Sequence, residues 1–169
     1  IKEKAEEYKE KIIDYRRTLH QNPELGLEEH KTSEFIKNEL KKINIIVKDN
    51  LYSRDDIKNE LDKLGEEIKD SHGSTGLVGI LEGSKKGKTV LLRSDMDALK
   101  VTESKEKSHL PYTEGFRSKN EGIMHACGHD SHIAMLLGSA NVLTKFKSEI
   151  KGKIKFLFQP DEERGCGAK

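Results

Sequence analysis

The sequence has few cysteines, no long apolar run and almost no net charge. Its two cysteines, Cys127 and Cys166, are too few for the disulfide framework of a small secreted domain. No stretch approaches the roughly 20 consecutive apolar residues that cross a bilayer. The first residues, I-K-E-K-A-E-E-Y, lack the apolar centre of a signal peptide. We therefore predict free thiols, no membrane partner and a cytoplasmic location.

The charge balance gives no reason to expect a polyanionic partner. The chain contains 31 basic and 30 acidic residues, which leave a formal net charge of +1. A nearly neutral chain has no electrostatic attraction for nucleic acid or for an anionic membrane surface. A length of 169 residues is sufficient for a domain with a real core. We predict one domain over residues 1 to 169 and no nucleic-acid partner.

Hydrophobic periodicity predicts helices alternating with strands. Apolar residues at steps of three and four predict three helices, and short apolar runs bounded by turn residues predict four strands. The helices are expected at residues 2 to 20, 28 to 43 and 130 to 146, and the strands at 44 to 48, 77 to 81, 89 to 93 and 154 to 158. Asp130 or Ser131 is a candidate N-cap of the third helix, and residues 101 to 124 are expected to form a loop. This alternation is typical of a layered α/β fold.

One segment of the chain occurs twice. Residues 36 to 49 read IKNELKKINIIVKD and residues 57 to 70 read IKNELDKLGEEIKD, with eight of fourteen positions identical at an offset of 21. A solenoid would need three or more units, so we interpret the repeat as a single duplicated helical segment. Its second copy is more charged and is expected to be a surface helix at 57 to 70.

Three polar clusters lie where a ligand site is expected. Asp95 and Asp97 follow one predicted strand, the run Asp161–Glu162–Glu163 follows another, and residues 125 to 132 (HACGHDSH) precede the third helix. Ligands of open α/β sheets bind beyond the carboxyl ends of the strands. Thiolate, imidazole and carboxylate are the usual zinc ligands, and two adjacent glutamates can divide metal binding and proton transfer between them.

Each cluster also has a purely structural interpretation. Adjacent glutamates are more often solvated, aspartates favour turns, and a Cys-Gly-His triplet alone is a weak metal signal. The remaining histidines are expected on the surface or in the core: His20, His30, His72 and His109. Because three clusters coincide at site positions, the metal-site interpretation becomes as probable as the structural one.

Five motifs occur in an order that resembles a known family. They are RRTLHQNPELG from residue 16, STGLVGIL from residue 74, LLRSDMDAL from residue 91, GIMHACGHDSH from residue 122 and FLFQPDEE from residue 156. Together they resemble the N-acyl-amino-acid amidohydrolases, a group that includes hippurate hydrolases and indole-acetyl-amino-acid hydrolases within the aminoacylase and carboxypeptidase metallopeptidases. The resemblance covers nearly all of the chain except the second repeat copy.

The resemblance implies a two-metal enzyme that hydrolyses an amide bond of small N-acyl amino acids or peptides. By position, Cys127, His129 and Glu163 resemble metal ligands, Glu162 the general base, and Asp97 the acid that orients a ligand. Zinc or manganese is the expected metal, with cobalt or nickel as alternatives. The implied fold is a three-layer α/β/α catalytic domain with a mixed, mostly parallel sheet, of which residues 1 to 169 would be the N-terminal part. A separate lid or dimerisation domain, absent from these 169 residues, makes a homodimer a candidate assembly of the intact protein.

The sequence also departs from the family pattern. Lys100 replaces a usual proline, Asp161 replaces a frequent alanine, and Arg164 and Cys166 interrupt the glycine run after the paired glutamates. Members of the family are considerably longer and carry at least two further histidine ligands. We therefore expect these 169 residues alone to hold at most one metal ion, weakly, and to have little activity.

Two other functions remain open at this point. The first is a non-catalytic fragment that needs a partner or a further part of the protein, because an unpaired sheet edge invites association. The second is a thiol redox module that uses Cys127 and Cys166, although the chain contains no C-x-x-C motif. Within the enzyme class, the motifs do not separate an aminoacylase from a dipeptidase.

Overall fold

The computed structural model describes residues 1 to 168, which form six helices and four strands. The helices are α1 Lys2–Glu7, α2 Lys9–Gln21, α3 His30–Lys42, α4 Arg54–Leu64, α5 Leu110–Thr113 and α6 His129–Thr144. The strands are β1 Ile46–Lys48, β2 Leu77–Glu82, β3 Lys85–Asp95 and β4 Lys151–Gln159. Among these residues, no helix has the length and apolar character that a membrane crossing requires.

The sheet is mixed, with strand order β1-β2-β4-β3. This confirms the predicted α/β class with a mixed sheet. The expectation of a mostly parallel sheet is wrong for the described residues, because β2 pairs antiparallel with both β1 and β4, and only β3 and β4 are parallel. The chain reverses direction between β2 and β3, whereas the α6 crossover keeps β4 parallel to β3. Strand β4 lies between β2 and β3 in the sheet. Because β4 runs in the same direction as β3, it is antiparallel to β2.

The main core lies between the helices and one face of the sheet. Helices α3 and α6 contact each other and the strands, and they enclose Leu77, Phe156 and Phe158, none of which is exposed by more than 1%. Helix α2 packs on α6 at Gly138, where an added Cβ would lie 2.5 Å from Cδ1 of Ile12. A larger residue at this position would require the Ile12 side chain to move.

The second face of the sheet is partly open in the described residues. It carries Val78, Ile80 and Leu157, which are half-buried, and Leu91, whose exposed fraction is 52%. The helices that contact the strands most extensively, α3 and α6, both cover the first face.

The second repeat copy forms a helix that has its own small core. Helix α4 begins at Arg54 after a capping box between Ser53 and Asp56, and it ends at Leu64 rather than continuing to residue 70 as predicted. Its buried residues Ile57 and Leu61 pack on Leu27, apart from the main core. The predicted surface helix therefore has one buried side.

Candidate metal centre

The candidate site lies where β3 and β4 end side by side. The two strands are parallel, and Asp95 is paired in register with Gln159. Each strand is followed within a few residues by carboxylates, Asp97 after β3 and the pair Glu162 and Glu163 after β4. The expected placement of the acidic clusters at the carboxyl edge of the sheet is thus observed.

A tight turn brings the third cluster to this edge. Helix α6 begins at His129, directly after Gly128, which has φ +94° and serves as the N-cap without a side-chain capping bond. This left-handed conformation favours glycine, and it places Cys127 and His129 on either side of the turn. The expectation that Asp130 or Ser131 caps the helix is wrong, because the helix starts earlier and the Asp130 carboxylate contacts His20 instead.

The structure brings the three predicted metal ligands together. One ligand atom each from Cys127, His129 and Glu163 lies within 4.8 Å of the others. A tetrahedral zinc ion with bonds of about 2.0 to 2.3 Å spaces its ligand atoms by roughly 3.3 to 3.8 Å. The three ligand atoms would therefore need to move only slightly closer together to bind such an ion. Their sulfur, nitrogen and oxygen donors match its chemistry.

Asp97 determines which nitrogen of His129 faces the site. Nδ1 of His129 lies 2.8 Å from the backbone oxygen of Asp97 and 3.3 Å from its Oδ1. Because a carbonyl oxygen only accepts hydrogen bonds, Nδ1 must carry the hydrogen and donate it. Nε2 therefore points towards the paired glutamates, 3.8 Å from Glu162 and 3.9 Å from Glu163.

The site carries the electrostatic signature of closely spaced acids around one imidazole. Burial opposes protonation of His129, but the contacts with Asp97 outweigh it and raise its pKa to about 9. Burial would raise the pKa of Asp97, yet hydrogen bonds from His129 and from the Glu163 backbone hold it below its usual value. The Glu163 carboxylate, which accepts a hydrogen bond from the thiol, raises the pKa of Cys127. A bound cation would relieve this crowding of negative charge.

The glutamate loop is held in a specific backbone conformation. Asp161 is fully buried and adopts φ +50°, in the left-handed region that non-glycine residues rarely occupy. Its N–H donates to Glu29 at 2.9 Å, and the N–H of Glu163 donates to Oδ2 of Asp97 at 3.0 Å. These bonds direct the two glutamate side chains towards His129.

A second group of candidate ligands was not recognised from the sequence. Asp95, His129 and His132 also have ligand atoms within 4.8 Å of one another. The spacing of His129 and His132 by three residues on α6 could have indicated it. Both groups require His129, whose Nδ1 is already bound to Asp97, so the two groups are alternatives. Because both glutamates lie close to Nε2, we favour the group that contains Cys127.

A buried ionic network lies beside the site and was also missed. His20 is 2% exposed, and its two ring nitrogens lie 2.8 Å from the carboxylates of Asp130 and Glu103. His109 also contacts Glu103, at 2.7 Å. His125, 4% exposed, has no hydrogen-bond partner within the described residues. The motif that contains His20 was visible in the sequence, but its partners lie 83 and 110 residues away.

The two cysteines are free thiols in different surroundings. Cys127 is exposed at the candidate site, whereas Cys166 is buried. Burial and the nearby Asp161 raise the pKa of Cys166 to about 11. A thiol with such a raised pKa is a poor nucleophile at neutral pH, and this argues against the redox interpretation.

Comparison with known proteins points to one family. The family model of peptidase family M20/M25/M40 matches residues 91 to 169. Thermostable carboxypeptidase 2 of Saccharolobus solfataricus is 41% identical over 166 residues, which cover 98% of this chain and 35% of the relative. N-acetyl-L-cysteine deacetylase of Bacillus subtilis is 41% identical over 157 residues, covering 93% and 31% of the two chains.

A solved structure agrees with these matches. The Bacillus subtilis YXEP protein, described as a dinuclear metal binding peptidase from the M20 family, superposes with a TM-score of 0.72 at 33% identity. The match covers 94% of this chain and 37% of that protein. The chain therefore spans about a third of the length of the relatives that it matches. The resemblance inferred from the five sequence motifs is confirmed.

Proposed function

Since the chain is related to peptidase family M20/M25/M40, we propose that its candidate site is part of a metal centre that hydrolyses amide bonds. The substrates are small N-acyl amino acids or peptides, as the names of the carboxypeptidase and deacetylase relatives suggest. Cys127, His129 and Glu163 bind the metal, and Glu162 acts as the general base. Asp97 orients His129.

One observation carries this proposal. Side chains from three separate segments converge at the end of the parallel β3–β4 pair, and Cys127, His129 and Glu163 form one ligand group there. Two glutamates at nearly equal distances from Nε2 of His129 allow one to bind a cation while the other remains free for proton transfer. Solvated surface glutamates would have no reason to converge on a buried imidazole.

The side chains would divide the chemistry as follows. Cys127, His129 and Glu163 would hold a divalent ion, which would supply positive charge to polarise the amide carbonyl. Glu162 takes a proton from the attacking water, whose oxygen bonds to the carbonyl carbon, and gives it to the leaving nitrogen as the C–N bond breaks. Asp97 keeps the hydrogen of His129 on Nδ1, so that Nε2 presents its lone pair.

The finer assignments belong to the same proposal. A mixed set of sulfur, nitrogen and oxygen donors suits zinc, with manganese next and cobalt or nickel as alternatives. The relative described as a dinuclear metal binding peptidase supports two ions in the intact site. We place the protein in the cytoplasm, where Cys127 would stay reduced, and we consider a homodimer its candidate assembly.

Exchanging each glutamate for glutamine separates the two assigned roles. We expect Glu163→Gln to weaken zinc binding by about 10-fold or more, because it removes a ligand. In the intact protein, Glu162→Gln should retain zinc and lower the hydrolysis of N-acetyl amino acids by at least about 100-fold, because it removes the base. Zinc titration and product assays measure both quantities, and Glu149→Gln, at an exposed position remote from the site, is the control.

Two results would contradict the proposal. If Glu162→Gln lost zinc and Glu163→Gln retained it, the two roles would be exchanged. If neither variant differed from the Glu149→Gln control in zinc affinity or hydrolysis, the glutamates would be ordinary solvated residues.

A further inference from the structure

We propose that residues 51 to 72, hereafter the strap, position the catalytic glutamates by clamping the loop that follows β4. The strap contains α4, and its residues Glu66 and His72 line one cavity together with Asp97 and Glu163. Its effect on metal affinity rests on the function proposed above, but its hold on the loop does not.

The first clamp is the side chain of Arg164, which directly follows Glu163. One of its nitrogens lies 2.6 Å from Glu66 in the strap. The other two bind the loop itself and its neighbour, at 2.6 Å from Asp161 and 2.9 Å from the backbone oxygen of Gly26. A planar guanidinium with three fixed partners leaves the adjacent backbone little freedom.

The second clamp is Tyr52, at the start of the strap. Its hydroxyl donates to the backbone oxygen of Gly167 at 2.7 Å, and its N–H donates to Ser74 at 3.0 Å. Tyr52 and Cys166 line the same 400 Å³ cavity as α4. The strap therefore contacts the loop at residues 164 and 167, just beyond the paired glutamates.

The strap is itself a rigid element. Arg54 donates to the backbone oxygens of Lys69 and His72, at 3.1 Å in both cases, and so ties the start of α4 to the end of the strap. The capping box at Ser53 fixes the beginning of the helix, and Leu61 is fully buried. A preorganised support of this kind can hold the residues that it contacts in a fixed position.

The loop needs external support because its conformation is unfavourable. Asp161 is held at φ +50°, a left-handed conformation that is strained for a non-glycine residue, and such conformations persist only where the surroundings enforce them. Arg164 binds Asp161 directly. Loss of the strap contact should therefore allow the loop to relax and move Glu162 and Glu163 away from His129.

The strap is separate from the main core of the protein. Its buried residues form a cluster with Leu27, Tyr52 and Ile68, whereas the main cluster lies between the sheet and the helices α2, α3 and α6. Removing one strap contact should therefore change the loop without unfolding the molecule. This separation distinguishes a positioning role from general stabilisation.

Amide hydrogen exchange of the metal-free chain tests the clamp directly. Glu66→Gln removes the charged partner of Arg164, and we expect the amides of Asp161 and Glu163 to exchange about 10-fold faster. Zinc affinity should fall by about 10-fold, as for other residues that support metal ligands. Asp62→Asn is the matched control, because it breaks the 2.6 Å pair with Lys58 on α4 without touching the loop.

Two further variants make the test specific. Arg164→Gln should reproduce both effects of Glu66→Gln, and the double variant should be no worse than Arg164→Gln, because the two side chains form one contact. Tyr52→Phe removes only the hydroxyl that holds Gly167 and tests the second clamp if the charge variants unfold.

If the amide hydrogen-exchange rates of the loop were unchanged in Glu66→Gln and Tyr52→Phe, the proposal that the strap clamps the loop would be wrong. Faster exchange with unaltered zinc affinity would overturn its positioning role. If the unaltered chain failed to bind zinc, the proposed function would be contradicted, while the exchange result would still decide whether the strap holds the loop.

Discussion

His20 is a residue whose motif is visible in the sequence but whose partners are not, because they lie 83 and 110 residues away. Both ring nitrogens face carboxylates, Glu103 on one side and Asp130 on the other. Carboxylates only accept hydrogen bonds, so both nitrogens donate when the ring is protonated. Burial opposes this charge, but the two acids outweigh it and raise the pKa of His20 above its ordinary value of 6.5. The ring thereby links α2 to the first turn of α6, next to His129.

We predict that His20→Gln lowers the free energy of unfolding by about 2 to 4 kcal/mol, because it leaves buried carboxylates without their cation. The folded-state pKa is raised, so the contribution of His20 is complete below pH 6.5 and is lost as the pH rises through the folded pKa. Glu103, whose pKa is lowered from 4.5, limits the effect at acid pH. The difference between the two proteins should therefore be largest between about pH 4.5 and 6.5.

Urea unfolding at several pH values measures this difference. The other charged groups that face the network are Arg16, near Asp130, and His109, near Glu103; the buried His125 also lies beside it. His30→Gln, at an exposed histidine of α3, is the control. A stability difference that stays constant from pH 5 to pH 8 would show that the charge of His20 is irrelevant.

Sequence alone could indicate the candidate site residues but not the residues that support them. Cys127, His129 and the paired glutamates stand in short motifs whose chemistry is recognisable. Asp130 was misread as a helix cap, because a local pattern carries no information about a histidine 110 residues away. The role of Arg164 was likewise hidden, since its partner Glu66 lies 98 residues away in the chain.

At the scale of the elements, the turn between Cys127 and α6 determines the geometry of two candidate ligands. Gly128 adopts φ +94°, and an added Cβ would meet nothing within 4 Å. A substitution there would therefore change only the backbone preference and cause no clash. Gly115 has the same property, with φ +75° and open space around it, but it lies outside the site.

We predict that Gly128→Ala and Gly115→Ala lower stability by a similar amount, roughly 1 to 2 kcal/mol, because both force alanine into the left-handed region. Only Gly128→Ala should also weaken zinc binding, by about 10-fold, because it shifts Cys127 relative to His129. Thermal unfolding and zinc titration separate the two effects. Equal zinc affinity in both variants would mean that this turn does not set the ligand geometry.

The elements themselves were largely predictable because their periodicity is strong. Helices α2, α3 and α6 and the central parts of β2, β3 and β4 lie where apolar spacing placed them. The ends of β3 were missed, since it extends from Lys85 to Asp95 and its lysine-rich start lacks an apolar pattern. Strand direction was also missed, because it depends on which strands become neighbours and not on the sequence of any one strand.

At the scale of the whole molecule, the candidate site exists only because three distant segments meet. Residues near 97, 127 and 162 are joined by the parallel pairing of β3 with β4 and by the α6 crossover between them. This topology agrees with a relative described as a dinuclear metal binding peptidase. Within residues 1 to 168, the favoured ligand group contains three side chains, which is enough for one ion and too few for two.

The central claim, that Cys127, His129 and Glu163 form a metal site, is tested most directly by X-ray absorption at the zinc edge of the zinc-loaded chain. We predict one sulfur neighbour at about 2.3 Å and nitrogen or oxygen neighbours at about 2.0 to 2.1 Å. The sulfur signal should disappear in Cys127→Ser and remain in Cys166→Ser. A shell of nitrogen and oxygen alone, as Asp95, His129 and His132 would provide, or a sulfur signal that survives Cys127→Ser, would contradict the assignment.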